Sequence, residues 1–178
     1  MAVVQWQSLL SQLQLVGSRA YKCSEVGLSN FEAAHFPLPE SFRTFCAVFG
    51  PGFLCDNFYV GCPDYRGSDE NLQIHYDLES LCRSVRVACA EFEEIGTEVE
   101  RFQRAWFFCR DYASAYFYWD PTEVTVSEFN EYGIYMVDRD FRTTRVADTF
   151  FGFVKDVCLS DSQHLFEQPP SQTFRFAP

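Results

Sequence analysis

Trp106-Phe107-Phe108-Cys109-Arg110-Asp111-Tyr112-Ala113-Ser114-Ala115-Tyr116-Phe117-Tyr118-Trp119 is the stretch whose reading decides the fold, because nearly every position is aromatic, apolar or turn-forming. Residues 105–109 carry no polar side chain, so periodicity does not separate strand from buried helix. A run this short suits a strand, and aromatic rings suit a pleated surface. After the polar break at Arg110 and Asp111, Ala115, Phe117 and Trp119 alternate with Tyr116, Tyr118 and Asp120. That alternation predicts a second strand with one core face and one face of polar tips. Asp120-Pro121 predicts its end, since Pro cannot donate to a ladder.

Beyond this hairpin, residues 132–138 read as a further strand, Asp138-Arg139-Asp140 as a turn, and residues 143–146 as a short returning strand. Phe150, Phe151, Val154, Val157 and Cys158 make an apolar stripe that predicts a last helix over 149–159, capped by Asp148 or its neighbour. The polar tail, 160–178, contains Pro169-Pro170, and its residues 173–176 are able to add an edge strand. On the N-terminal side, Leu78, Leu81, Cys82, Val85, Cys89 and Phe92 predict the longest helix over 77–94, followed by an acidic link at 98–100. Residues 53–60 read as a first strand. Pro39, Glu40 and the stripe Phe42, Phe45, Cys46 and Phe49 predict a helix that stops at Gly50-Pro51-Gly52. Ser29 and Glu32 have capping-box spacing. Val3, Trp6, Leu9, Leu10 and Leu13 predict a helix over 3–16 with one core-facing stripe, stopped by Gly17. The expected architecture is α+β: one domain over 1–159 with a mixed or antiparallel curved sheet flanked by helices, then the tail.

Aromatic residues make up 18% of the 178, far too many for a disordered chain. The net charge of −11 argues against a nucleic-acid partner, which needs a basic surface. Residues 56–100 hold eleven acids against three Arg, so −8 of the charge is concentrated there. A lopsided field of this kind suits a basic protein partner, or simply a solvated acidic face. The eight cysteines sit largely in apolar segments and read as free thiols. With no secretory leader pattern and no 18-residue apolar run, the expectation is a cytoplasmic protein without membrane contact.

Common catalytic constellations are absent from the sequence. His35, His75 and His164 are scattered, there is no C-x-x-C, and the glycines form no phosphate-binding pattern, so neither metal nor cofactor is expected. Asp138 and Asp140 could act as paired carboxylates, yet a solvated turn accounts for them more simply. Tyr112, Tyr116, Tyr118, Trp119 and Asp120 combine the residue types that make binding hot spots, and Asp111, Glu98 and Glu100 add charge to this candidate partner-binding set. The same rings could instead be sheet-face core.

The chain carries, in order, L-P-E-S-F-R-T-F at 38–45, the W-F-F-C and Y-F-Y-W-D strands, Y-G-I-Y-M-V-D at 132–138 and A-D-T-F-F-G-F-V at 147–154. Over 38–159 this order of signals resembles the SUKH superfamily, which includes the yeast cell-wall-assembly regulator and many bacterial immunity proteins. Where the family carries Asn-Gly-Gly, this chain has Phe49-Gly50-Pro51-Gly52. The resemblance implies an α+β domain that binds protein without catalysis, in bacterial members an immunity protein neutralising a toxin, often a nuclease. Two rivals stay open: a regulatory or scaffold protein of the same fold, and a small hydrolase or transferase using a pocket carboxylate and a Cys.

Overall fold

The computed structural model describes residues 6–9, 11–19, 21–67, 74–90, 98–160 and 171–178, without the side chains of Ala90, Glu98 and Val99. The aromatic hairpin forms as its pattern demands. Strand β4 (Trp106–Asp111) pairs antiparallel with β5 (Tyr116–Val126), and Trp106 lies opposite Trp119. Around this pair the other strands are β1 (Gln14–Val16), β2 (Gly52–Leu54), β3 (Phe58–Val60), β6 (Glu131–Val137), β7 (Thr143–Ala147) and β8 (Thr173–Phe176). The eight strands make one open mixed sheet in the order β1-β8-β2-β3-β4-β5-β6-β7. Among these described strand pairs only β1–β8 is parallel. The fold is therefore a single-domain α+β fold.

Both faces of the central strands are covered, which corrects the expectation of one core face and one polar face. Phe117 and Trp119 point toward α1 (Glu25–Ala34), α2 (Glu40–Val48) and the helix that runs as α5 (Phe150–Gly152) and continues as a π-helix (Phe153–Cys158). Tyr118 points to the opposite side, into a smaller core built with α3 (Leu78–Ala90) and α4 (Glu98–Arg104). The larger core is a lattice of rings. Phe108 stacks on Trp119 with centroids 4.3 Å apart, and Phe42 and Phe150 meet edge to face at 4.9 Å. Each fully buried Phe contributes roughly 1.5–3 kcal/mol by leaving water, and geometries of this kind add ~0.5–1.5 kcal/mol per pair.

Several boundaries differ from the sequence reading for local reasons. Among the described residues, the N-terminal helix covers 6–9 and has given way to a turn by residue 11; Trp6 on it is fully buried and donates to the Ser41 carbonyl at 2.9 Å. Gln14–Val16 are instead drawn out as β1 along β8. Helix α1 is capped by Ser24, whose hydroxyl accepts from Gly27 N at 3.0 Å. Ser29 thus lies inside the helix, and Glu32 accepts from Leu38 N at 3.1 Å rather than closing a capping box. Residues 53–60 are a hairpin, because Cys55 and Asp56 both adopt positive φ and let Asn57 N reach the Leu54 carbonyl at 3.1 Å. The acidic link is the start of α4, with Glu98 in its first turn, Arg101 and Arg104 in its last, and Phe102 buried beneath it. Phe92 and residues 91–94 of the long helix lie outside the described residues.

The tail strand is internal, not an edge. β8 lies between β1 and β2, and Phe174 is fully buried beside Phe45 and Phe49. Gly52 makes this docking possible: a Cβ there would collide with the Phe174 ring and come within 2.6 Å of the Arg175 carbonyl.

One buried carboxylate joins the layers. Glu131, at the start of β6, accepts from Ser41 N and Ser41 Oγ, both at 2.9 Å, and from Phe150 N at 3.2 Å. It thereby satisfies N–H groups at the starts of α2 and α5 together.

Candidate functional site

The residues proposed from sequence as a partner-binding set do not form one surface. Tyr118, Trp119 and Asp120 are fully buried and Asp111 is nearly so, which removes four of the eight from contact with any partner. Their burial has structural causes. Trp119 is core, and Tyr118 stacks with Tyr135 at 5.6 Å. Asp111 closes the β4–β5 turn by accepting from Ala115 N at 2.7 Å, while burial pushes its carboxyl upward. Tyr116 is half-buried between the Phe107 ring and Arg110. Tyr112 is exposed at the turn tip, Glu100 is exposed on α4, and the Glu98 side chain lies outside the described atoms. Tyr112 follows the C-terminal end of β4, whereas Glu100 sits on α4, which leads into its N-terminal end.

Asp120 has a particular task. Trp119 pairs with Ile134, but Val124 pairs with Tyr132, so β5 bulges across residues 120–123. Asp120 holds the bulge by accepting from Thr122 N at 3.0 Å, Thr122 Oγ1 at 2.7 Å and Arg104 at 3.1 Å. Burial acts to raise its carboxyl, yet the Thr122 donors and the Arg104 guanidinium outweigh it and hold it below the usual range. Asp120-Pro121 thus kinks the strand instead of ending it.

Beyond the bulge, β5 resumes as an exposed arm that includes the turn Ser127–Phe129 and ends at Asn130, whose positive φ swings the chain into β6. Val124, Val126 and Phe129 are 51%, 36% and 37% exposed along it. Among the described residues, no strand pairs with the β4 side of β5 past Trp119. Helix α4 flanks that side: Arg101 donates to Glu123 at 3.1 Å, and the Tyr135 hydroxyl donates to the same carboxylate. Exposed Glu128 adjoins Phe129 in the chain, and Glu123, the last residue of the bulge, directly precedes Val124. An incompletely paired strand carrying apolar side chains between acids is the kind of surface that takes a protein partner. The reading of Asp120-Pro121 as the end of the strand missed it, although Val124 and Val126 alternate with Glu123 and Thr125.

A groove of about 460 Å³ lies between α1 and α3, lined by Asn30, His35, Asp64, Asp77, Glu79 and Arg83 among others. Its acids are committed to structural work. Asp77 accepts from Ser80 N at 2.9 Å, Glu79 pairs with His35 at 2.8 Å, and Asp64 pairs with Arg66 at 2.9 Å. Asp138 and Asp140 likewise form a turn, in which Asp138 accepts from Asp140 N and Arg142 N, both at 2.9 Å.

All eight cysteines are free. Burial pushes Cys55 and Cys82 up to about 12 and raises Cys109 and Cys158 well above the usual thiol value, so these four are held as thiols. Cys23 is the exception: hydrogen bonding with Cys46 and then Cys62 holds it down at about 5 against its own burial.

Among the described residues, no helix is long and apolar enough to cross a membrane. The chain matches no family model, no curated protein and no solved structure.

Proposed function

We propose that this chain is a non-catalytic protein-binding domain of the SUKH type, an immunity protein that neutralises a toxin in the cytoplasm. The observation that carries this reading is the β5 arm, where Val124, Val126 and Phe129 stand exposed, with exposed Glu128 next to Phe129, on a strand that no described strand pairs along its β4 side past Trp119. The apolar row supplies area to bury and the acids supply steering toward a basic target. The motif order over 38–159 supports the family, and the net charge of −11 supports a basic partner such as a nuclease, whose phosphate-binding groove carboxylates could occupy.

Co-expression with the toxin domain encoded beside this chain's gene tests the proposal. The chain should restore growth and form a complex that weakens between low and high salt, as screening shortens from about 10 Å at 0.1 M to about 3 Å at 1 M. A neighbourhood with no toxin gene would favour the regulatory or scaffold reading. A complex indifferent to salt would refute the acidic part of the surface.

A further inference from the structure

Three cysteines that are distant in sequence converge behind α1. Cys23 immediately precedes Ser24, the cap of α1. Cys46 lies in the last turn of α2, and Cys62 follows β3, where it bridges to Asp77 at the start of α3. Their Sγ atoms all lie within 4.8 Å of one another. Cys46 and Cys62 are fully buried, whereas Cys23 is partly buried and its thiol also reaches the Pro63 carbonyl at 3.4 Å. We propose that Cys23, Cys46 and Cys62 form a three-thiolate site for one thiophilic d10 cation, Zn(II) or Cu(I).

The geometry fits such an ion. With Zn–S bonds near 2.3 Å, sulfurs on a common tetrahedral ion stand about 3.8 Å apart, which small χ1 rotations reach from this spacing. Small hydrophobes would fill three separate core positions equally well, but nothing in core packing requires three sulfurs to share one point. Soft thiolates select soft ions over Mg²⁺ or Ca²⁺. Cu(I) is satisfied by three sulfurs, while Zn(II) takes a fourth ligand, and the Cys23 side, the least buried of the three, is where water would supply it. Because the ligands come from the lead into α1, from α2 and from the end of β3, a bound ion would staple three elements, and its role would be structural. The sequence conceals the site because no two of the ligands share a metal-binding spacing.

Anaerobic titration of the reduced full-length chain with Zn(II), with Cu(I), and with Co(II) as a spectroscopic reporter tests the site. One equivalent should bind, Co(II) should give sulfur-to-metal charge-transfer absorption, and the melting temperature should rise. Cys23→Ala removes a ligand at a partly buried position and should retain the fold while weakening affinity more than about 100-fold, beyond the loss typical of outer-shell changes. Cys89→Ala, at a half-buried thiol outside the cluster, should bind as the wild type does. If neither Zn(II) nor Cu(I) binds the wild type more tightly than Cys23→Ala, or if Cys89→Ala loses as much affinity as Cys23→Ala, the proposal is overturned. Because this site is separate from the β5 arm, neither result bears on toxin binding.

Discussion

Replacing Glu131 with Ala should be among the most damaging single changes to this protein, out of proportion to the volume removed. The carboxylate receives Ser41 N, Ser41 Oγ and Phe150 N, and the residue is only 4% exposed. The hydroxyl can turn to another acceptor, but the two backbone N–H groups cannot. Stranding each costs about 1–3 kcal/mol, so Glu131→Ala should lose about 4 kcal/mol. For a chain of this size, at ~2–4 °C per kcal/mol, that lowers the melting temperature by about 10 °C. Glu131→Gln separates hydrogen bonding from volume: its amide oxygen can still accept from Ser41 N, but its NH₂ group faces Phe150 N. One donor is then stranded, at about 2 kcal/mol. Urea unfolding followed by circular dichroism measures both losses. If both variants unfold within about 0.5 kcal/mol of the wild type, Glu131 does not join the two helices and the reasoning fails.

Gly52→Ala should displace β8 rather than unfold the domain, seen as faster amide exchange at residues 173–176 with the β4–β5 amides still protected; unchanged exchange there would contradict the close approach of β8 to Gly52. Asp56 is held below its usual range chiefly by the Ser171 hydroxyl, with Thr173 and Arg175 adding to this. A carboxyl lowered by folding stabilises above its unfolded pKa, and that contribution is lost as the pH falls through the folded value. Acid below about pH 4 should therefore loosen the tail strand, and Asp56→Asn should flatten that part of the pH profile of urea midpoints. Phe174→Ala should cost about 3–5 kcal/mol, as expected for emptying a ring-lined core position, again measured by urea unfolding.

The sequence carried the central fold because the aromatic hairpin is held by its own pattern: alternation in Ala115 to Trp119 and an apolar run in Phe107 to Cys109 mark strands wherever they dock. The Phe42, Phe45, Cys46 and Phe49 stripe was legible for the same reason. Features created by distant partners were not. Gln14–Val16 became a strand only because β8 offered an edge, and β8 was internal only because Gly52 admits Phe174. Helix α4 hides in sequence because it is short and its charges read as a linker. The candidate site suffered most. Tyr118, Trp119, Asp111 and Asp120 have the chemistry of a binding surface, but helices on both faces of the sheet bury them. The exposed arm was passed over because Asp120-Pro121 resembles a strand end, when Asp120 is holding a bulge within a longer strand.

The affinity of the double variant Val124→Asp and Phe129→Asp for the proposed toxin partner, once co-expression has identified one, measured beside the wild type, is the most direct test of the β5 arm. Both positions are exposed, so the melting temperature should be unchanged, while loss of two apolar contacts at about 2 kcal/mol for the dominant one should weaken binding by at least ~30-fold. Equal affinity for the two proteins would contradict the account and move the interface elsewhere on the molecule.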